Sequence, residues 1–596
     1  MKQQMPINII GAGLAGLSAA KTFAQAGVRV RLISFQPSER AQSNLAEGGI
    51  NAALNVMGEE DSIQDHFRDT MKGGCDLADP SMVRNLTQAA PDIVMEMDRL
   101  GVPFHREDGH IVQRNFGGQK KKRTTYAKSS TGKVLTTALI DAVRKYEMQG
   151  LVERYPHHRF DRLILRDEAA AGALVCDRYT AKEMSMEGSV LMACGGMNGL
   201  FAGATTGTTA NTGSAAGALF EQGVEFANLE FLQYHPTTVS ITGKRLLVSE
   251  AARGEGGRLF CYGEDAAGED AGRPDAKKPE GFGTRSKRYF MEEKYGERGN
   301  LMPRDVISRE MAMLGRQAYL DLTALDDRTW KVKLSDLREE IIHYLGIDPA
   351  SEPVPVSPGI HYFMGGILVD GQHRTNLPGL YAAGECACAY HGANRLGGNS
   401  LLGAIYGGRQ AAITMIRDLA EGTSDRTMNE EASCEFQEGL RDRAADPAQT
   451  EPSFTTAAEE ETQVLEKMTQ ILMAGMMPLR DGESIAHALE ELERLKTGAE
   501  KTAEGADGMR TLSDECRTKL LLAEATLRCA LERRESRGAH TRLDFPKTDE
   551  NLRKTTVVRY EDGEIRISFR EKLCPGSSSF RMPSPPVFIS GVMVIF

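Results

Sequence analysis

Apolar positions at the start of the chain fall in short blocks divided by glycine turns. Ile7 to Ile10 is a short, mostly apolar run that opens directly onto Gly11-Ala12-Gly13-Leu14-Ala15-Gly16. Leu17 to Ala26 then carries helical character, Gly27 closes it, and Val28 to Ile33 reads as a second strand. Strand, glycine turn, helix and strand in that order form the setting in which G-x-G-x-x-G binds a dinucleotide. Gly11 permits the tight turn, Gly13 lets the backbone approach a pyrophosphate, and Gly16 allows close helix–strand packing. The helix N-terminus supplies free N–H groups to the anion. The second strand ends at Ser34-Phe35, where an NAD enzyme carries an acidic residue for the ribose, so the pattern points away from NAD.

A second strand-then-glycine turn lies far downstream, at Gly379-Leu380-Tyr381-Ala382-Ala383-Gly384-Glu385. Flavoproteins of the two-dinucleotide type return to the flavin with such a late segment, so the chain is expected to leave the nucleotide domain and re-enter it. Between the two, residues 262–283 are rich in Gly, Pro and charge and are expected to form a surface loop. Residues 455–535 carry helical periodicity, as in AHALEELERLK and KLLLAEATLRCALERR, with the charges read as solvated helix faces.

Composition narrows the class. At ~150 residues per domain, 596 residues suggest about four domain-sized units. A hydrophobic share of 41% with 26% charged residues is that of an ordinary soluble protein. The net charge of −11 is poor for wrapping nucleic acid, so no nucleic-acid partner is expected. Ten cysteines without a regular framework read as reduced thiols, and the Cys386/Cys388 pair has no second pair to complete a metal set. No metal site is therefore expected. The N-terminal MKQQMPINII shows no cleavable signal, and no apolar run reaches the ~18 residues that cross a bilayer.

Several clusters join His or Arg to Gly. They are Gln233-Tyr234-His235-Pro236-Thr237, Ser249-Glu250-Ala251-Ala252-Arg253, Pro303-Arg304-Asp305, His361-Tyr362-Phe363-Met364-Gly365-Gly366 and His391 to Leu401. Singly, each has a plain structural reading: a turn, a surface pair or a helix-face pair. Together they suit an anionic substrate against a planar cofactor, since Arg grips carboxylates bidentately and His adds directional donors. The run Lys120 to Arg123 reads as a solvated basic loop.

With AEGGINAAL, FGGQ, STGKVL, SEAARGEGG, ERGNLMPRD, AAGECA, HGANRLGGNSL and ESRGAHTRLDFP, these clusters run in order from about residue 6 to about residue 560. The sequence thereby resembles the flavoprotein subunit of the succinate dehydrogenase/fumarate reductase family. The resemblance implies an α/β fold: a doubly wound FAD-binding domain interrupted by an α+β capping domain and followed by a helical domain. The expected ranges are 1–240 and 356–425 for the FAD domain, 241–355 for the cap, 426–545 for the helices and 546–596 for a C-terminal region.

By the same resemblance, His361 and Arg395 would hold one carboxylate of a four-carbon dicarboxylate, and His235 and Ser249 the other. Ser249 stands where many relatives carry threonine, and the hydroxyl survives. Phe116, Leu247 and Gly398 would line the dicarboxylate pocket. Gly11, Gly13, Gly16, Ser34, Gln42, Gly48, Gly49, Glu385, Ser400 and Leu401 would hold the flavin. Arg304 would be the proton donor, resupplied through Glu250 and Arg253, although arginine is a weak acid with a reference pKa above ~12. Relatives that attach FAD covalently have histidine where this sequence has Gln42, so noncovalent FAD and fumarate reduction are expected. An iron–sulfur subunit and a quinone-reactive membrane anchor are the implied partners, placing the chain at the cytoplasmic face of the membrane. Two other readings stay open: L-aspartate oxidase, which FGGQKKKR disfavours, and a noncatalytic FAD-binding electron-transfer subunit.

Overall fold

The computed structural model describes residues 5–128, 130–263, 286–421, 454–504 and 512–571, with two short strands beyond them, Val587–Ile589 and Val592–Val594. Most of the Gly/Pro-rich stretch expected to be a surface loop lies outside the described residues.

A five-stranded parallel sheet anchors the first domain. Its order is Leu380–Ala382, Val190–Met192, Ile7–Ile10, Val30–Ser34 and Val152–Pro156. The strand that returns late therefore pairs with the one at 190, completing a sheet begun at residue 7. Ile7 to Ile10 is buried throughout, as a central strand of a parallel sheet covered on both faces must be. Helices Leu14–Gln25 and Thr131–Glu147 pack beside it, and Asn399–Ala420 crosses the former. That crossing is close: a Cβ at Gly408 would stand 2.1 Å from the Ala15 carbonyl oxygen, and Ser18 Oγ donates to the Ile405 carbonyl at 2.8 Å. A three-stranded antiparallel sheet, His158–Arg166, Ala169–Asp177 and Glu183–Glu187, lies next to this domain.

The cap is built on a six-stranded sheet ordered Lys244–Leu247, Leu232–Ile241, Val354–Phe363, Ala318–Asp321, Arg258–Tyr262 and Lys287–Arg288. Its own core gathers Leu259, Met291, Ile307, Leu320, Trp330 and Val354. Two of its strands, Leu232–Ile241 and Val354–Phe363, run across residues 240/241 and 355/356, where the sequence suggested domain boundaries. They carry His235 and His361 respectively. Their register shifts between His235 and Thr238, around Pro236, which has no N–H to give the ladder.

Helices Phe454–Gly475, Gly482–Glu504 and Asp514–Glu532 form the helical domain. Gly482–Glu504 has the expected solvated face: Arg494 and Glu490 pair at the surface while Ile485, Ala488 and Leu492 are buried. In Asp514–Glu532 the expected solvated face is present at Arg517 and Arg528, which are exposed, while Lys519 and Glu524 are buried along with Leu520, Leu522, Ala523, Leu527 and Ala530 against the other helices and Ser214–Glu221. Beyond it, Arg533 donates to Glu230 Oε1 at 2.6 Å and to Glu535 Oε1 at 2.8 Å, with every partner fully buried. This network ties the helical domain to the segment that enters the His235 strand.

The Lys120–Arg123 run is not simply a solvated loop. Lys120 and Lys122 are exposed, but Arg123 is fully buried between Asp61 at 2.8 Å and Asp69 at 3.0 Å. Cys386 and Cys388 point apart, Cys386 Sγ toward the Ala383 carbonyl at 3.2 Å and Cys388 Sγ accepting from Asn228 Nδ2 at 3.4 Å. Among the described residues no helix is long and apolar enough to cross a membrane.

Candidate active site

A cleft of about 1580 Å³, open to solvent, runs along the C-terminal ends of the parallel strands. Gly11, Gly13, Ser34, Gln42, Leu247, His361, Glu385, Ser400 and Leu401 all line it. The glycines are required here. Gly11 has φ +119°, and a Cβ on it would stand 2.1 Å from the Ala193 carbonyl oxygen. Gly16 does not line the cleft; it lets its helix approach the strand, since a Cβ there would lie 1.9 Å from the Gly11 carbonyl oxygen. Gly48 and Gly49 also stand behind the wall, packed on Phe116 and on Thr124 and Thr125.

The cleft suits a dinucleotide. Two glycine turns bring backbone to its edge, and Asn211 Nδ2, a buried donor with no partner among the described residues, stands beside it. Gln42 Oε1 accepts the Thr208 backbone N–H at 2.6 Å. Glu385 Oε1 accepts the Phe363 N–H at 3.1 Å, and burial pushes its carboxyl up to about 7 against that bond and Arg395.

Close to His361 lies a cluster of buried arginines. Arg304 donates through Nε and Nη2 to Glu250 Oε2, at 2.9 and 2.6 Å. The other Glu250 oxygen accepts the Gly117 N–H at 2.6 Å, with Arg253 Nη2 3.8 Å away. Burial alone would raise the Glu250 carboxyl, but Arg304, Arg253 and these hydrogen bonds hold it below the usual range. Arg253 donates from Nη1 to the Asn300 carbonyl at 2.7 Å, while its Nε and Nη2 have no hydrogen-bond partner among the described residues. Gln233 joins this group to Arg395: its Oε1 accepts from Arg304 Nη1 at 3.1 Å and from Arg395 Nη2 at 2.9 Å. Its Nε2 donates to Asn394 Oδ1 and to the Arg395 carbonyl, both at 2.7 Å. Arg395 Nε is buried without a hydrogen-bond partner among the described residues.

Burial pushes Arg395 down to about 9, helped by Arg304, and pushes Arg253 down to about 10 against the pull of Glu250. His235 and His361, with ring centroids 5.1 Å apart, are both held well below the usual imidazole range by burial and then by Arg304. His361 Nδ1 lies 2.8 Å from Thr206 Oγ1, and His235 Nδ1 lies 3.2 Å from the Thr237 carbonyl. That second contact needs the proton on Nδ1, which leaves His235 Nε2 with its lone pair. Ser249 caps the short helix Glu250–Gly254, its Oγ accepting from Ala251 N at 3.5 Å. Phe116 is buried against the Gly397 turn, and Gly398 takes φ +82° with no room for a Cβ beside Asn51.

The charges do not cancel. Three guanidiniums, Arg253, Arg304 and Arg395, stand near Glu250, with Glu385 also acting on Arg395, and the two imidazoles are neutral. Cations outnumber these carboxylates, so the cluster suits an anionic ligand, because an isolated buried charge is costly. Sequence motifs brought together Arg304, Glu250, Arg253, His235, His361 and Arg395. They gave no role to Gln233, Thr206 or Tyr362, which sat inside the quoted motifs or beside them as ordinary residues.

Known proteins resemble the chain along nearly its whole length. Residues 7–401 match the family model described as an FAD binding domain, and residues 465–576 match that described as fumarate reductase flavoprotein C-term. The succinate dehydrogenase flavoprotein subunit of Bacillus subtilis is 36% identical, covering 94% of each chain. The fumarate reductase flavoprotein subunit of Mycobacterium tuberculosis is 33% identical, covering 96% of this chain and 97% of that one. Among solved structures, a variant of E. coli quinol fumarate reductase superposes with TM-score 0.79 at 27% identity, covering 97% of this chain and 98% of that one. Mycobacterium smegmatis Sdh1 in complex with UQ1 superposes with TM-score 0.76 at 30% identity, covering 96% and 95%.

Proposed function

The chain belongs to the succinate dehydrogenase/fumarate reductase family of FAD flavoproteins, and from that premise we propose that it works as a fumarate reductase with Arg304 as the proton donor. The buried surplus of positive charge beside the FAD cleft carries this reading. Arg395 and His361 bind one carboxylate of the substrate and His235 and Ser249 the other. Gripping both ends fixes the reacting carbons against the cleft, which is catalysis by positioning. Bound FAD supplies the two-electron, hydride-transferring chemistry that the protein's own side chains lack.

Arg304 is placed for its role by three bonds, two to Glu250 and one to Gln233, so its guanidinium has one orientation. After giving up a proton it is recharged through Glu250, which Arg253 adjoins. The neutral imidazoles donate or accept without adding to the positive charge. Phe116 and Leu247 keep water from the carbons between the two carboxylates.

Gln42 makes the FAD noncovalent, because an amide offers no nucleophilic nitrogen and this one is already bonded to Thr208. A noncovalent flavin favours reduction of fumarate over oxidation of succinate. Electrons reach the chain from an iron–sulfur subunit and a quinone-reactive membrane anchor, which places it at the inner face of the cell membrane. The solved relatives named for quinol and UQ1 support that assignment. Comparison of fumarate reduction by a reduced dye with succinate oxidation, under matched conditions on the purified flavoprotein, tests the reading. Faster succinate oxidation would overturn the direction, and absence of both would overturn the function.

A further inference from the structure

Arg395 is fixed along one edge by Gln233, yet its guanidinium plane also needs a support, and that support is an aromatic face. Its Cζ lies 4.5 Å from the centroid of the Tyr362 ring. Tyr362 is held in turn from its far end: its hydroxyl lies 3.1 Å from His391 Nε2, with the two rings edge to face at 81°. His391 is buried, and its Nδ1 has no hydrogen-bond partner, so the Tyr362 contact is its one side-chain hydrogen bond among the described residues. Burial, then Arg395, pushes His391 down to about 3, so it stays neutral beside the cation.

We propose that His391 is a positioning residue for dicarboxylate binding: it fixes the Tyr362 ring, and the ring face holds the Arg395 guanidinium with its unpartnered Nε turned to the substrate carboxylate. The inference rests on the reading of Arg395 as a carboxylate ligand. A cation on a desolvated aromatic face is stabilised without an acidic partner, so its charge remains available to the ligand. An acidic support would neutralise it.

The test uses the purified FAD-loaded chain, with fumarate kinetics under a reduced dye and the flavin absorbance shift on titration with malonate as the binding readout. Tyr362→Phe removes only the hydroxyl and keeps the ring volume. It and His391→Ala should each raise KM and the malonate dissociation constant at least fivefold while changing kcat less than threefold. Because both delete the same contact, the double variant should be no worse than the weaker single one. His391→Gln, which can still reach the hydroxyl, should recover most of the loss. Unchanged KM and malonate affinity in Tyr362→Phe would overturn the inference, as would additive losses in the double variant. Arg395→Ala separates the two layers. If it abolishes the malonate response while Tyr362→Phe is silent, the inference fails and the site reading stands; if it too is silent, both fail.

Discussion

Arg304 and Arg395 share one acceptor: Gln233 Oε1 takes Nη1 of the first at 3.1 Å and Nη2 of the second at 2.9 Å. The group assigned to move a proton and the group assigned to hold a carboxylate are thus set against each other by a neutral amide. An amide can bridge two cations because its oxygen carries two lone pairs and its nitrogen can be satisfied separately, here by Asn394 and the Arg395 carbonyl.

Arg304→Lys should retain FAD and dicarboxylate binding but lose turnover. An ammonium is a point charge and cannot span both Glu250 Oε2 and Gln233 Oε1 in the guanidinium plane. Dye-linked fumarate reduction, with malonate titration of the flavin as the binding control, decides it; substantial turnover would sink the proton-donor role.

Arg395→Ala should weaken dicarboxylate binding by roughly 2–5 kcal/mol, the usual cost of truncating one partner of a buried hydrogen-bonded charge pair. The wild-type protein should show a related pH effect. Arg395 titrates at about 9, so the cation that grips the carboxylate is lost as pH rises through that value, and kcat/KM should fall there. His235 and His361, held neutral well below the usual imidazole range, should add no limb near pH 6.5.

Acid denaturation should release all the flavin from the chain, because Gln42 cannot form the covalent bond. Flavin fluorescence remaining on the protein band of a denaturing gel would refute this.

Glu385 gives a stability prediction. Its folded value of about 7 lies above the ordinary ~4.3 of an unfolded glutamate, so between those values the folded state keeps a proton the unfolded chain has lost. Stability of the FAD-depleted protein should therefore fall as pH rises from about 4.3 to about 7 and level off above. Glu385→Gln should raise the Tm at pH 8 and change it little at pH 4.5; an equal shift at both would contradict the buried-carboxylate account.

Legibility in the sequence followed how local each constraint was. Gly11, Gly13 and Gly16 were readable because the turn, the close approach and the packing contact fall within six consecutive residues. The return strand at Leu380–Ala382 was readable because its glycine turn follows at once. Arg123 was misread because its burial depends on Asp61 and Asp69, and nothing next to it in the chain signals them. In Asp514–Glu532 the periodic charges mark a solvated face at Arg517 and Arg528, but Lys519 and Glu524 are buried in pairs with Glu515 and Lys496, and Lys496 lies in another helix that nothing local signals. The Gln233 clamp was hidden for the same reason as Arg123: its two guanidiniums sit 71 and 162 residues downstream.

The parallel sheet sets a schedule for making the protein. Its edge strand Leu380–Ala382 and the cleft residues Glu385, Ser400 and Leu401 are translated long after Gly11 and Gly13. Until they emerge, the strand Val190–Met192 has an open edge and the cleft lacks a wall. The nascent chain therefore cannot close its site around FAD, and most of the polypeptide, cap included, is synthesised as apoprotein. Cofactor capture then becomes a late maturation step, and the exposed edge is the feature that a folding helper would have to shield in the interval.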